Sequence, residues 1–147
     1  MTEPAAPKII AFERHHIAPA RALWDRSPGV GLSSADAPAA IATYLDRNPG
    51  SSFVAVDGDA LVGTILCGHD GRRGLIHHLV VAPAHQRRGL GRALVRAGLD
   101  ALQRAHIEKC HLLVFNSNQE GLKFWRTLGA EERVSLALMS IATSVRP

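Results

Sequence analysis

The order of residue periodicities predicts an α/β fold in which a mixed sheet carries helices on both faces. Two observations predict it. Short apolar runs joined by tight turns form consecutive hairpins in the first half, and helix-period and strand-period segments alternate in the second half. A third observation sets the centre of the fold. The stretch from Gly74 to Ala105 joins a buried-strand pattern to an amphipathic helix through a turn that holds two glycines and several arginines.

Lys8 to Glu13 (KIIAFE) reads as a strand after a loose tail at residues 1–7. Pro19 opens a brief helix carrying Leu23 and Trp24, because proline is tolerated in a first turn, and Ser27-Pro28-Gly29 closes it. A second helix is expected from about Asp36 to Arg47, with Asp36 as its cap and Ile41, Tyr44 and Leu45 on its buried face. Asn48-Pro49-Gly50 ends that helix. Ser52 to Val56 and Leu61 to Cys67 are strands joined by a turn at Asp57-Gly58-Asp59. A glycine-bounded turn at residues 68–74 leads to the strand Leu75 to Val81, which Pro83 stops. Leu90, Leu94, Gly98, Ala101 and Leu102 then mark one face of a long helix. Lys109 to Phe115 is a further strand, and Asn116-Ser117-Asn118 caps a helix that ends at Leu128 with Gly129 as its stop. Val134 to Ile141 reads as a last strand, with a short piece before it at Ala130 to Glu132.

A chain of 147 residues is one ordinary domain, so 1–147 is read as a single unit. With 46% hydrophobic and 20% charged residues it has a globular composition rather than a disordered one. No apolar run approaches the ~18 residues of a membrane span, and MTEPAAPK lacks the charged start and apolar core expected of a signal peptide. Cys67 and Cys110 both sit in apolar segments, where a reduced buried thiol is the expected state. A cytoplasmic protein without membrane attachment is expected. The net charge of +4 and pI of about 9.7 would suit nucleic acid, yet the arginines are scattered except around residues 87–96. With no aromatic-interleaved basic stripe, nucleic acid is not the expected partner.

The local cluster itself indicates an anion site. A turn between a strand's end and a helix's start presents free N–H groups and the positive end of the helix dipole. Glycines let phosphates approach the backbone, and Arg87, Arg88 and Arg92 add full charge. The string G-x-x-x-x-G-K-[ST] is absent, and a G-x-G-x-x-G fingerprint would need glycine where Leu94 stands. What stands there is Gln86-Arg87-Arg88-Gly89-Leu90-Gly91, a Q-x-x-G-x-G string after L-V-V-x-P and before an amphipathic helix. This resembles the coenzyme A signature of the GNAT acetyltransferase superfamily. Asn118-x-x-Gly121-x-x-Phe124-Trp125-x-x-Leu128-Gly129 is similar to a second segment of that superfamily, and the matched motifs together cover roughly residues 61–130.

The resemblance implies the GNAT fold, with a single, mostly antiparallel mixed sheet of six to seven strands and helices on both faces. It implies an N-acetyltransferase that moves acetyl from acetyl-CoA to a primary amine by direct attack. The acceptor is a small molecule or peptide, and a homodimer is compatible with the family. It places coenzyme A where the strand at 75–81 splays from the strand at 109–115. The backbone of Leu79, Val80 and Val81 would hold the pantetheine arm, and Gln86, Arg87, Arg88, Gly89, Leu90, Gly91 and Arg92 the pyrophosphate. Asn118 would bond the pantetheine or cap its own helix, and Phe124 and Trp125 would line the channel.

A base must lie near the acetyl group, and superfamily members often carry one on this strand. His77 and His78 are the titratable groups there, and strict alternation would send them to opposite faces, His77 sharing its side with Leu75, Leu79 and Val81. His77 is therefore the first catalytic candidate and His78 the second. No metal is expected: His15, His16, His69, His85, His106 and His111 show no ligand spacing. Two departures stand out. Trp125 occupies the place of a tyrosine that many members use to protonate the departing thiolate, and Ala130 replaces an aromatic residue. A coenzyme A-binding module without efficient catalysis is the rival reading, and nucleic-acid binding a distant third.

Overall fold

The computed structural model describes residues 5–147, so part of the expected tail at residues 1–7 lies outside the described residues. The chain divides into two compact units, one running through Phe115 and one from Asn116 to Pro147.

The first unit is built on one five-stranded sheet in the order β1 (Lys8–Ala11), β2 (Phe53–Asp57), β3 (Ala60–His69), β4 (Gly74–Val81) and β5 (Cys110–Leu112). Neighbours along the first four strands are antiparallel, and β4 pairs with β5 in parallel. The sheet is thus mixed and mostly antiparallel as expected, with five strands among the described residues in place of six to seven. The parallel pair needs a crossover, which α3 (Leu90–Arg104) supplies. Its buried face holds Leu90, Leu94, Val95, Gly98, Ala101 and Leu102. At Gly98 an added β-carbon would stand 3.3 Å from the Ile65 side chain and 3.5 Å from that of Cys67, so the missing side chain lets α3 lie close on β3.

The opposite face carries α1 (Ile17–Asp25) and α2 (Pro38–Arg47). Leu23, Trp24 and Ile41 from these helices form one buried cluster with Val54, Leu66 and Val80 of the sheet. Helix α1 starts two residues before Pro19, because a 3-10 turn at Arg14–His16 leads straight into it and Pro19 still falls within the first turn. Helix α2 starts at Pro38 rather than Asp36, with Pro38 at the position where a missing N–H costs nothing. Asp36 instead ends a 3-10 turn at Ser34–Asp36.

Strand β5 is the short one. It pairs only at Gly74↔Cys110, Leu75↔His111 and Ile76↔Leu112, while β4 continues five residues further, to Val81. The expected strand at 109–115 therefore shrinks to Cys110–Leu112, and beyond Ile76 the edge of β4 has no strand beside it among the described residues.

In the second unit, α4 (Gln119–Thr127) runs as the caps and Gly129 predict, with Gly129 at φ 95°. The expected strand at 134–141 and the short piece at 130–132 do not form, and the segment after α4 is irregular. Val134, Leu136, Leu138, Met139 and Ile141 are exposed. An alternating pattern becomes a strand only where a neighbour completes the ladder, and among the described residues this segment belongs to no sheet.

Candidate active site

The central feature is a β-bulge in β4. Its register with β3 runs Cys67↔Ile76 and Leu66↔His77, then shifts, and resumes at Thr64↔Val80 and Gly63↔Val81. The extra residue is accommodated at His78, whose φ of 47° lies in the left-handed region that non-glycine residues seldom enter. A bulge breaks strict alternation. His77 and His78 therefore do not face opposite sides of the sheet: the His77 ring meets Tyr44 of α2 edge-on at 6.1 Å, and the His78 ring lies 4.6 Å from Trp24 of α1. The two imidazoles stand 6.3 Å apart, both toward the face that α1 and α2 cover. For the same reason Val81 does not share the side of His77. It pairs with Gly63, where a β-carbon would meet Leu94 of α3.

Thr64 holds this irregular backbone. Its hydroxyl donates to the His78 carbonyl at 2.8 Å and accepts from the indole Nε1 of Trp24 at 2.9 Å. The His78 ring is anchored as well. Its Nε2 lies 2.6 Å from Asp36 Oδ1, with only 13% and 11% of the two side chains exposed. Asp36 Oδ2 accepts from the Ser33 N–H at 2.9 Å, and its main-chain carbonyl accepts from Arg21 Nε at 2.9 Å. Sequence reasoning gave Asp36 the task of a helix cap and missed its contact with His78. The Ser33-x-x-Asp36 capping pattern is a local signal, but nothing local ties residue 36 to residue 78.

Burial pushes the His77 imidazole below its ordinary pKa, and the neighbouring His78 charge pushes it further down. The Tyr44 hydroxyl is buried without a hydrogen-bond partner among the described residues, and burial followed by the Cys67 thiol raises its pKa.

The backbone beyond the bulge has a definite polarity. Ala82 N donates to Val62 O at 2.8 Å, so the antiparallel register turns the N–H and C=O of Val80 toward β3. Those of Leu79 and Val81 point to the edge that β5 has left. Gln86 then ties the following turn to this edge, its Nε2 donating to Val81 O at 3.0 Å.

That turn leads into α3 through Arg87 at φ 62° and Gly89 at φ 78°, the latter serving as N-cap with no side-chain cap. A β-carbon on Gly89 would point into open space, so the first amides of α3 at Leu90, Gly91 and Arg92 can be approached by a bulky anion. Arg87, Arg88 and Arg92 have no carboxylate partner among the described residues. An edge with free amide groups that runs into an uncapped, arginine-rich helix start fits an extended amide arm ending in a pyrophosphate.

In the second unit, Asn118 caps α4, its Oδ1 accepting from Gly121 N at 2.9 Å, and Phe124 packs edge-on against Trp125 at 5.4 Å. No helix is long and apolar enough to cross a membrane among the described residues.

Comparison with known proteins gives the same picture of the fold. The chain is similar to the Ard1 protein of Thermoplasma volcanium (22% identity, TM-score 0.75, covering 85% of this chain and 82% of that one). It is also similar to a ribosomal-protein-alanine N-acetyltransferase of Brucella melitensis (17% identity, TM-score 0.72, 93% and 100%). A third similar structure is AAC(6')-Iy in complex with a bisubstrate analogue, CoA-S-monomethyl-acetylneamine (17% identity, TM-score 0.74, 96% and 100%). No curated protein sequence was found to match the chain. The model of the Acetyltransferase (GNAT) family matches residues 17–130, the span that holds the bulged strand, the uncapped turn and the helix after it, so the chain belongs to the GNAT family and is an acetyl-CoA-dependent N-acetyltransferase.

Proposed function

We propose that the protein acetylates a primary amine by direct attack, within a site that opens where β4 parts from β5. One observation carries this reading: the bulge sets two imidazoles, His77 and His78, side by side at the point where the sheet opens. Acetyl-CoA supplies an acetyl thioester, whose carbon takes the amine and whose thiol departs. The backbone groups of Leu79 and the N–H of Val81 bind the amide arm as an added strand binds. Gln86 fixes the turn, and the amides of Leu90, Gly91 and Arg92 with the side chains of Arg87, Arg88 and Arg92 hold the pyrophosphate over Gly89.

An acceptor amine reaches its nucleophilic form only after losing a proton, and an imidazole beside the thioester takes it. His77, with its lowered pKa, is uncharged at neutral pH and adds no positive charge to repel an ammonium. No side-chain acid is needed for the leaving group. A thiol of pKa roughly 8.5 leaves as a thiolate and takes a proton from water, so an indole at position 125 is tolerated.

The test is a thiol-release assay with acetyl-CoA against amines, polyamines, amino acids and peptides. Thiol release that depends on a primary amine and yields its N-acetyl product is the expected result. Release that is independent of every amine, or acetylation of hydroxyl acceptors alone, would overturn the proposal.

A further inference from the structure

We infer that Asp36 is a positioning residue that fixes the His78 imidazole in the tautomer whose Nδ1 is free to take the acceptor's proton, so that His78 rather than His77 is the base. This rests on the acetyl-transfer reading above and deepens it.

An ionised carboxylate only accepts hydrogen bonds, so the ring nitrogen facing Asp36 must carry the hydrogen. With Nε2–H given to Asp36 Oδ1 at 2.6 Å, a neutral His78 keeps its lone pair on Nδ1, which makes no hydrogen bond among the described residues. Asp36 is itself held at three atoms, Oδ1 by His78, Oδ2 by Ser33 N and the main-chain oxygen by Arg21 Nε, so the carboxylate cannot swing away. The charged and titratable groups around the ring are Asp36 from the turn before α2, Arg21 from α1 through the Asp36 carbonyl, His77 from β4 and, beyond it, Tyr44 from α2. Asp36 alone among them makes a hydrogen bond to the ring.

The His77 ring has no such partner among the described residues; it makes a T-shaped contact with Tyr44 and no hydrogen bond there. When the acceptor nitrogen bonds to the acetyl carbon and the carbon–sulfur bond breaks, one amine proton passes to His78 Nδ1. The resulting imidazolium is stabilised by Asp36 at Nε2 and afterwards gives its proton to the thiolate or to solvent. The strain of holding a histidine at φ 47° serves the same end, because it aims the ring at a carboxylate 42 residues away.

The experiment reads the tautomer and the rate on the same protein. In ¹⁵N-labelled enzyme at pH 7.5, with His78 assigned by its loss in His78→Gln, two-bond ¹H–¹⁵N correlation should show Nε2 protonated and Nδ1 bare. A wild-type His78 ring protonated on Nδ1 overturns the inference without any substrate. In Asp36→Asn the amide can donate to Nε2 and should invert the tautomer. Its kcat should fall by about 10²–10⁴ with the KM for acetyl-CoA nearly unchanged, and Asp36→Glu should recover part of the loss. A folded Asp36→Asn protein with an inverted ring and wild-type kcat overturns the base role. A wild-type enzyme that acetylates no amine overturns the acetyl-transfer reading and the base role with it, whatever the tautomer.

Discussion

Thr64→Val is the most direct test of how the bulge is held. Thr64 is fully buried and Trp24 is 1% exposed, so neither can trade its partner for water. Valine keeps the branched shape and removes only the hydroxyl. Two bonds go at once: the 2.9 Å bond from the Trp24 indole loses its acceptor, and the 2.8 Å bond to the His78 carbonyl loses its donor. A buried donor left without a partner costs about 1–3 kcal/mol, and the second bond contributes about 1 kcal/mol, so a loss of about 2–4 kcal/mol is expected. Urea titration should show this as a lower midpoint at unchanged slope. Trp24→Phe in the Thr64→Val background removes the orphaned donor, so the double variant should be more stable than the sum of the singles by about 1 kcal/mol or more. A Thr64→Val protein within about 0.5 kcal/mol of wild type would refute the view that this network secures the bulge.

Gly89→Val should weaken coenzyme A binding severely by calorimetric titration, since its side chain enters the space over the α3 amides; it should also cost about 1–2 kcal/mol of stability because φ is 78° there. Folded Gly89→Val with wild-type affinity would remove the turn from the cofactor site. Stability should fall as pH drops from 7 to 5. His77 and His16 both have folded pKa values lowered chiefly by burial, so the unfolded chain binds protons first; their contribution is complete above about 6.5 and is lost as pH falls through the folded values. Thermal melts of His77→Gln should show a shallower acid decline than wild type, and an unchanged decline would mean that His77 is not buried neutral. Trp125→Phe should keep kcat within about tenfold, because an indole is no acid at neutral pH; a much larger drop in a folded protein would give the indole a part in the chemistry.

Much of the fold was legible because its signals are local. The face Leu90, Leu94, Gly98, Ala101 and Leu102 is the buried face of α3, since a stripe at helical spacing has one way to meet a sheet. The hairpin at Asp57 to Ala60 and the stop at Gly129 follow from turn chemistry. The segment Val134 to Ile141 carries the same kind of alternation, yet alternation states only that a strand could form. Whether it does depends on a neighbour, and the sequence does not specify one.

The site was legible to the extent that it depends on composition and illegible where it depends on register. Two adjacent histidines on a strand can be found by inspection, but their faces cannot, because a single extra residue in a ladder reverses the parity of everything after it. Glycine would have announced the bulge; here it falls on His78, and the chain carries no local mark of it. That same irregularity creates the chemistry. In a regular strand one imidazole would face α3 and the other α1 and α2, and the parity of His77 would place His78 on the α3 side. The bulge brings the His78 ring across to Asp36, in a turn whose sequence explains its own cap and nothing more. A pairing between residues 36 and 78 exists only once α1, α2 and the sheet have packed, so it belongs to tertiary structure and could not have been read from either segment alone.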